Sequence, residues 1–222
     1  MNRVIIVMLI ALIIGTSAKA DCQNVRTNGL GYESIDLGLP SGTLWATCNI
    51  GANNPWDYGN YYAWGETSTK TVYNWDTYKY GTNYNKVTKY CTNEDYGNNG
   101  LVDNRTILSP SDDAATINMG SGWCIPTKEQ WAELIDNTEC YQTSKGYRLI
   151  GKNGNSIILP FAGYREDTKL YSIGQTIDYW SSTLDDEFPC NGFSITSGGG
   201  FGHRIFIDHR NCGLPIRAVR KR

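Results

Sequence analysis

The chain has 222 residues, 40% of them hydrophobic and 19% charged, with a net charge of −2. That length suits one domain of ordinary size with a substantial core. The near-neutral balance, with no basic patch, excludes the electrostatic footprint of a nucleic-acid binder.

Residues 1–20 form a segment of their own. Arg3 gives a positive start, residues 4–14 are an unbroken apolar run, and Ala18-Lys19-Ala20 supplies small residues for cleavage after Ala20. This is the pattern of a secretory signal peptide. The run is shorter than the ~20 apolar residues a membrane span needs, so no integral membrane segment is expected after its removal. Loss of Arg3 and Lys19 takes the net charge from −2 to −4. Asp21 and Lys19 stand where a lipid-attachment motif at Cys22 needs a small residue and a leucine, so a lipoprotein is not expected. The protein reads as secreted, periplasmic or displayed on the outer surface. Its seven cysteines then meet an oxidising compartment, and an odd count leaves at least one unpaired within the chain. Cys124 and Cys212 each adjoin an expected core strand and are the chosen disulfide candidates.

Residues 21–31 are polar and expected to be a flexible mature N-terminus. One domain should fill residues 32–222. Residues 35–40 open it as a strand and turn, and residues 44–51 read as a buried strand. Asn54-Pro55 starts a short helix, with proline at the first helical position. Residues 61–65 form a compact aromatic strand. Residues 66–106 differ in character: Tyr73, Trp75, Tyr78, Tyr80, Tyr84 and Tyr90 recur among small polar residues without an apolar period. A loop this long is ordered by its own side chains or carries function. Tyrosine and tryptophan serve either end, with an apolar body and a polar handle. The self-packed reading is favoured, and a recognition surface is the alternative.

Ser109-Pro110-Ser111-Asp112-Asp113 starts a short helix, with capping the simplest role for its acidic pair. The segment that organises the chain follows. Trp123-Cys124-Ile125 is a strand ended by Pro126, which biases its predecessor to extended geometry. Thr127 is the N-cap of a helix, with Gln130 completing a capping box. Trp131, Leu134 and Ile135 make its apolar face. Asn153-Gly154 between apolar runs predicts a hairpin with a type I′ turn. Residues 161–170 read as a loop and residues 179–183 as a strand. Residues 192–196 and 203–208 form a second hairpin around Gly198-Gly199-Gly200, and residues 214–220 close the chain as a strand. The fold class is α+β: short, mainly antiparallel strands, two or three short helices and a long loop-rich excursion.

Several motifs together carry a resemblance. They include Ile35-Asp36-Leu37-Gly38-Leu39-Pro40-Ser41-Gly42, Leu44-Trp45-Ala46-Thr47-Cys48-Asn49-Ile50-Gly51-Ala52, Tyr58-Gly59-Asn60-Tyr61-Tyr62-Ala63-Trp64-Gly65-Glu66-Thr67, Trp123-Cys124-Ile125-Pro126-Thr127, Ala162-Gly163-Tyr164-Arg165, Tyr179-Trp180-Ser181-Ser182 and the terminal Gly213-Leu214-Pro215-Ile216-Arg217-Ala218-Val219. With them the chain resembles the Fibrobacter succinogenes major paralogous domain family, found in exported proteins of gut bacteria. The resemblance runs from about Tyr32 to Val219. It implies a C-type-lectin-like fold, shared with the formylglycine-generating enzyme, in which the terminal strands pair and close the excursion. Members usually carry Arg where this chain has Cys124, and Ser-Val where it has Pro215-Ile216.

The chemistry that the fold would allow is only partly present. The Glu-Pro-Asn or Gln-Pro-Asp and Trp-Asn-Asp triplets of calcium-dependent lectins do not occur. Glu94, Asp95 and Asp103 lie in an oxygen-rich turn able to take Ca²⁺, but their spacing is not that of an EF-hand, and a solvated turn is favoured. No cofactor is otherwise expected. Cys190 and Cys212 are late enough in the chain to stand for the copper-binding pair of the formylglycine-generating enzyme, although its surrounding motif is absent. His203 and His209 are the only histidines; on one strand face they could, with Asp208, hold a metal weakly, but surface residues with no role are the favoured reading. The expected function is an exported, non-catalytic binding or adhesion module whose ligand is a glycan or a surface protein. Trp75, Tyr78, Tyr84 and Tyr96 are its expected contacts. The alternatives are an oxidoreductase-like enzyme related to the formylglycine-generating enzyme and a structural surface component.

Overall fold

The computed structural model describes residues 25–27, 31–197 and 203–220. The expected signal segment, Cys22 and the glycine turn at residues 198–200 lie outside them. Four early strands are β1 (Val25–Thr27), β2 (Glu33–Asp36), β3 (Leu44–Ala46) and β4 (Tyr61–Tyr62). After the excursion come α1 (Ala114–Met119), β5 (Trp123–Cys124) and α2 (Lys128–Asn137). A meander follows: β6 (Thr138–Gln142), β7 (Gly146–Gly151) and β8 (Ser156–Pro160). Then come the small hairpin β9 (Tyr164–Glu166) and β10 (Lys169–Tyr171), and a second meander, β11 (Ile177–Leu184), β12 (Asn191–Ser197) and β13 (Arg204–His209). The chain closes with β14 (Leu214–Pro215) and β15 (Val219–Arg220).

Every strand-to-strand pairing among these elements is antiparallel. This agrees with the α+β expectation. The main sheet runs β1-β2-β3-β15-β5, so the last strand is inserted between β3 and β5. Val219 faces Trp45 on one side and Cys124 on the other. The two ends of the domain are thus joined by a shared ladder.

The capping box of α2 forms as the sequence predicts: Gln130 N donates to Thr127 Oγ1, and Thr127 N donates to Gln130 Oε1. Trp131 from α2 is the hinge of the core. Its ring lies 4.7 Å from that of Trp45 in β3 and 5.9 Å from that of Tyr179 in β11. Its indole N–H donates to the Trp180 carbonyl at 3.2 Å. The helix therefore joins the main sheet to the second meander through one buried side chain.

Several local expectations are corrected. The strand at residues 44–51 stops at Ala46, and residues 214–220 break into β14 and β15. Asn54 does not start a helix; its N–H and side-chain amide donate to the Asp57 carboxylate in a turn. The stretch 161–170 is no mere loop, because it contains β9 and the start of β10, and β6 is an additional strand. Val25–Thr27, within the segment expected to be flexible, pairs with β2. The β7–β8 hairpin forms, but not through a type I′ turn. Only Gly154 has positive φ, at 84°, and its N–H closes onto the Gly151 carbonyl. A turn of ordinary hand followed by a left-handed glycine is the three-residue alternative. Tertiary contacts select it: Asn153 and Asn155 both donate side-chain N–H to the Asp36 carbonyl, at 2.9 and 2.7 Å.

The Cys124–Cys212 bridge is not formed. Cys212 carries a free, buried thiol, whereas Cys124 is exposed at the edge of the main sheet. The two were chosen for lying beside core strands, and that adjacency does not bring their sulfurs together. Among the described residues no helix is long and apolar enough to cross a membrane.

Candidate functional site

Residues 66–106 hold almost no regular structure, only two short 3-10 turns and isolated bridges such as Gly81 to Val87 and Val87 to Gly97. Tyrosine hydroxyls hold the loop in place of a backbone ladder. Tyr73 donates to the Tyr61 carbonyl at 2.6 Å and Tyr78 to the Trp64 carbonyl at 2.7 Å. Tyr80 and Tyr90 both donate to the Asp112 carboxylate, which also takes Lys89 and Ser109. Burial alone would raise the Asp112 pKa, but these four hydrogen bonds outweigh it and hold the carboxyl well below the usual range. Its neighbour Asp113 caps α1 through Thr116 N and also accepts from Ile125 N. The acidic pair is structural at both positions.

This packing sorts the aromatic residues named from the sequence. Tyr78 is buried, with its hydroxyl between the Trp64 carbonyl and Arg210 Nε, so it cannot stack on a ligand. Trp75 is half-buried, edge-on to Tyr78 at 5.5 Å and facing His209 at 6.3 Å. Tyr96 is half-buried against Phe188. Only Tyr84 is freely exposed, at 53%. The four do not make one surface.

The acidic turn is corrected in the same way. Asp103 accepts from the backbone N–H groups of Tyr90, Cys91 and Arg105, which together overcome the effect of burial and lower its pKa. It is a loop pin, while Glu94 and Asp95 point to solvent. Among the described residues no three His, Cys, Asp or Glu side chains converge on a point where a metal ion would sit. His203 and His209 are also apart in role. His203 Nε2 lies 2.6 Å from Cys140 Sγ and its ring packs on Tyr147, whereas His209 faces Trp75.

Cys190 and Cys212 are both buried and free. Burial raises both thiols, and Asp208 and Glu166 add to the effect at Cys212, pushing it up to about 12. A thiol surrounded by carboxylates stays protonated at neutral pH.

A better-formed site lies at the base of the excursion. β4 pairs with β14, so Tyr61 is fixed opposite Pro215. Arg165 in β9 is held by a two-way bridge to Gly213: N–H to O at 2.7 Å one way and 2.9 Å the other. Asp167, at the β9–β10 turn, makes a matching pair of 2.8 Å bonds with Tyr73. These two clamps leave an open groove of about 520 Å³ walled by Asn60 and Tyr61, by residues 69–71, and by Arg165 and Thr168. The Arg165 guanidinium lies 5.1 Å from the Tyr61 ring centre. Among the described residues no carboxylate pairs with it. The other cation of the groove, Lys70, is already committed to Glu66 Oε1 at 2.9 Å and to the Thr77 carbonyl at 3.1 Å.

Asn60 and Arg165 were legible only as members of the motifs Tyr58-Gly59-Asn60-Tyr61-Tyr62 and Ala162-Gly163-Tyr164-Arg165, and Lys70 had no signal at all. They come from separate stretches and meet because β4, β9 and the excursion's first turn are clamped together. No family model, no curated protein and no solved structure matches this chain.

Proposed function

We propose that this protein is an exported, non-catalytic binding module of C-type-lectin-like fold, related to the Fibrobacter succinogenes major paralogous domain family, that holds an acidic glycan in the groove at Arg165. The observation that carries the reading is the Arg165 guanidinium, backed by the Tyr61 ring and without a carboxylate partner among the described residues. An arginine fork matches the two oxygens of a carboxylate or sulfate. Asn60, Thr69, Thr71 and Thr168 around it offer the amide and hydroxyl groups that sugar hydroxyls need. The buried tyrosines of the excursion are then a scaffold for the groove's wall, and only its first turn, residues 69–71, supplies contacts.

The test is a glycan array carrying neutral, uronic, sialylated and sulfated sugars, read with calcium and with chelator. Binding should concentrate on acidic sugars and survive chelation. Arg165→Ala should weaken it roughly 10- to 100-fold, the equivalent of one charge-assisted contact, without altering the melting temperature. Hits on neutral sugars that Arg165→Ala leaves intact would remove the groove from consideration. A blank array would favour the structural surface component, a reading supported by the self-packed tyrosines.

A further inference from the structure

β13 is an edge strand. The second meander runs β11-β12-β13, and among the described residues no strand pairs with the outer side of β13. Its partner-free length is bounded by side-chain contacts at both ends. His203 packs on Tyr147 just before it, and His209 at its end faces Trp75. Between them stand Arg204-Ile205-Phe206-Ile207-Asp208. Phe206 is 43% exposed and Ile207 37% exposed. Of the devices that commonly protect such an edge, this one has charges, Arg204 and Asp208, but no lysine, proline or bulge between them.

The five residues are self-complementary. An antiparallel pairing of two copies about a two-fold axis at Phe206 sets Phe206 opposite itself and Ile205 opposite Ile207. It sets Arg204 of each copy opposite Asp208 of the other. Arg204, Phe206 and Asp208 share one face by strand alternation, so the cross-strand charge pairs flank a central aromatic pair. Both charged groups lack an opposite charge within one copy. The Arg204 guanidinium lies 5.2 Å from the Phe206 ring centre with no carboxylate partner among the described residues. Asp208 accepts one hydrogen bond, from Ser194 Oγ at 2.6 Å, and no lysine or arginine reaches it. Burial raises its pKa, against the lowering effects of the Ser194 hydrogen bond and of the nearby His209.

We propose that the outer edge of β13 is a self-association surface, through which two copies of this chain pair antiparallel across a two-fold axis at Phe206. An isologous contact of this kind closes at the dimer. Five residues a side is far fewer than the roughly 20–30 a side of a standard stable interface, so the dimer is weak and concentration-dependent.

Sedimentation velocity on the purified protein, from roughly 1 µM to roughly 1 mM, tests this. The native protein should show a reversible monomer–dimer equilibrium. Arg204→Asp sets carboxylates against each other and should weaken the dimer at least roughly tenfold, with an unchanged melt because Arg204 is exposed. Asp208→Arg sets guanidinium groups against each other and should do the same. Mixing the two variants restores both charge pairs and should regain the dimer. If Asp208→Arg fails to fold, Phe206→Lys, at an exposed position, decides: dispersal supports the pairing and persistence of the dimer overturns it. A monomer at every concentration, or a dimer indifferent to Arg204→Asp, also overturns it.

Discussion

Arg210 lays its guanidinium 4.8 Å from the ring centre of Trp64 and is itself completely buried. Among the described residues it has no carboxylate partner. Its charge is spread over four acceptors: Tyr78 Oη and the carbonyls of Lys89, Tyr90 and Pro189. Two of these carbonyls belong to the excursion and one to the turn before β12. Arg210 thus ties the loop to the second meander. Arg217 makes a similar knot at the other end of the domain, with Asn49 Oδ1 and the carbonyls of Ala46, Thr47 and Ile158.

Arg210→Lys should therefore cost about 3 kcal/mol. A lysine keeps the charge but cannot span four acceptors with a planar fork, which leaves buried carbonyls unsatisfied. Denaturant unfolding measures the loss, and limited proteolysis should cut within residues 66–106 first. A variant within about 0.5 kcal/mol of the native protein would show that the guanidinium geometry is unimportant.

The tyrosines of the excursion should separate cleanly. Tyr78→Phe removes a hydroxyl that both donates to Trp64 O and accepts from Arg210, and should cost about 1–3 kcal/mol. Tyr84→Ala removes an exposed ring and should stay within about 0.5 kcal/mol. Trp75→Ala should fall between them, because its ring packs on Tyr78. Thermal melts of the three rank them, and equal effects would contradict the packing described.

Asp178 makes a pH prediction. Burial, opposed by hydrogen bonds from Thr176 and Thr196 and assisted by the charge of Asp208, raises it to about 6. A carboxyl whose folded pKa lies above its unfolded value stabilises most below the unfolded pKa, near 4. That stability is lost as pH rises through about 6. Asp178→Asn removes the penalty of ionising a buried group. It should stabilise the protein at pH 7.5 by an amount on the order of 3 kcal/mol, and the gain should shrink towards zero near pH 4. Melting curves of both proteins across that range check the sign.

Gly213 makes a packing prediction. A methyl group there would lie 2.5 Å from Cε1 of Tyr73, beneath the groove, so the ring or the strand must shift. Gly213→Ala should cost about 2 kcal/mol through overpacking. It should also loosen the bridge that positions Arg165, and so weaken the acidic-glycan binding proposed for the groove. An unchanged melting temperature would mean that the Tyr73 ring moves freely.

How much could be read in advance depended on the range of the interaction. The capping box of α2 was legible because Thr127 and Gln130 are three residues apart, and all of its bonds are local. The β7–β8 hairpin was legible for the same reason. Its turn type was not, because the Asp36 carbonyl that Asn153 and Asn155 grip lies more than a hundred residues away. Tyr78 shows the limit for binding residues. Its sequence surroundings are those of Tyr84, and only the positions of Trp64 and Arg210 make one a core group and leave the other in solvent.

Composition, residue periodicity and turn residues by themselves determined the α+β class, the helix start at Thr127 and the strands around it, since each rests on contacts within a few positions. Tertiary structure alone decided the insertion of β15 between β3 and β5, the free thiol of Cys212, the burial of Arg210 and Arg217, and the meeting of Asn60, Lys70 and Arg165. Those depend on long-range closure of the chain, where many pairings share the same local pattern and only the packed core selects among them.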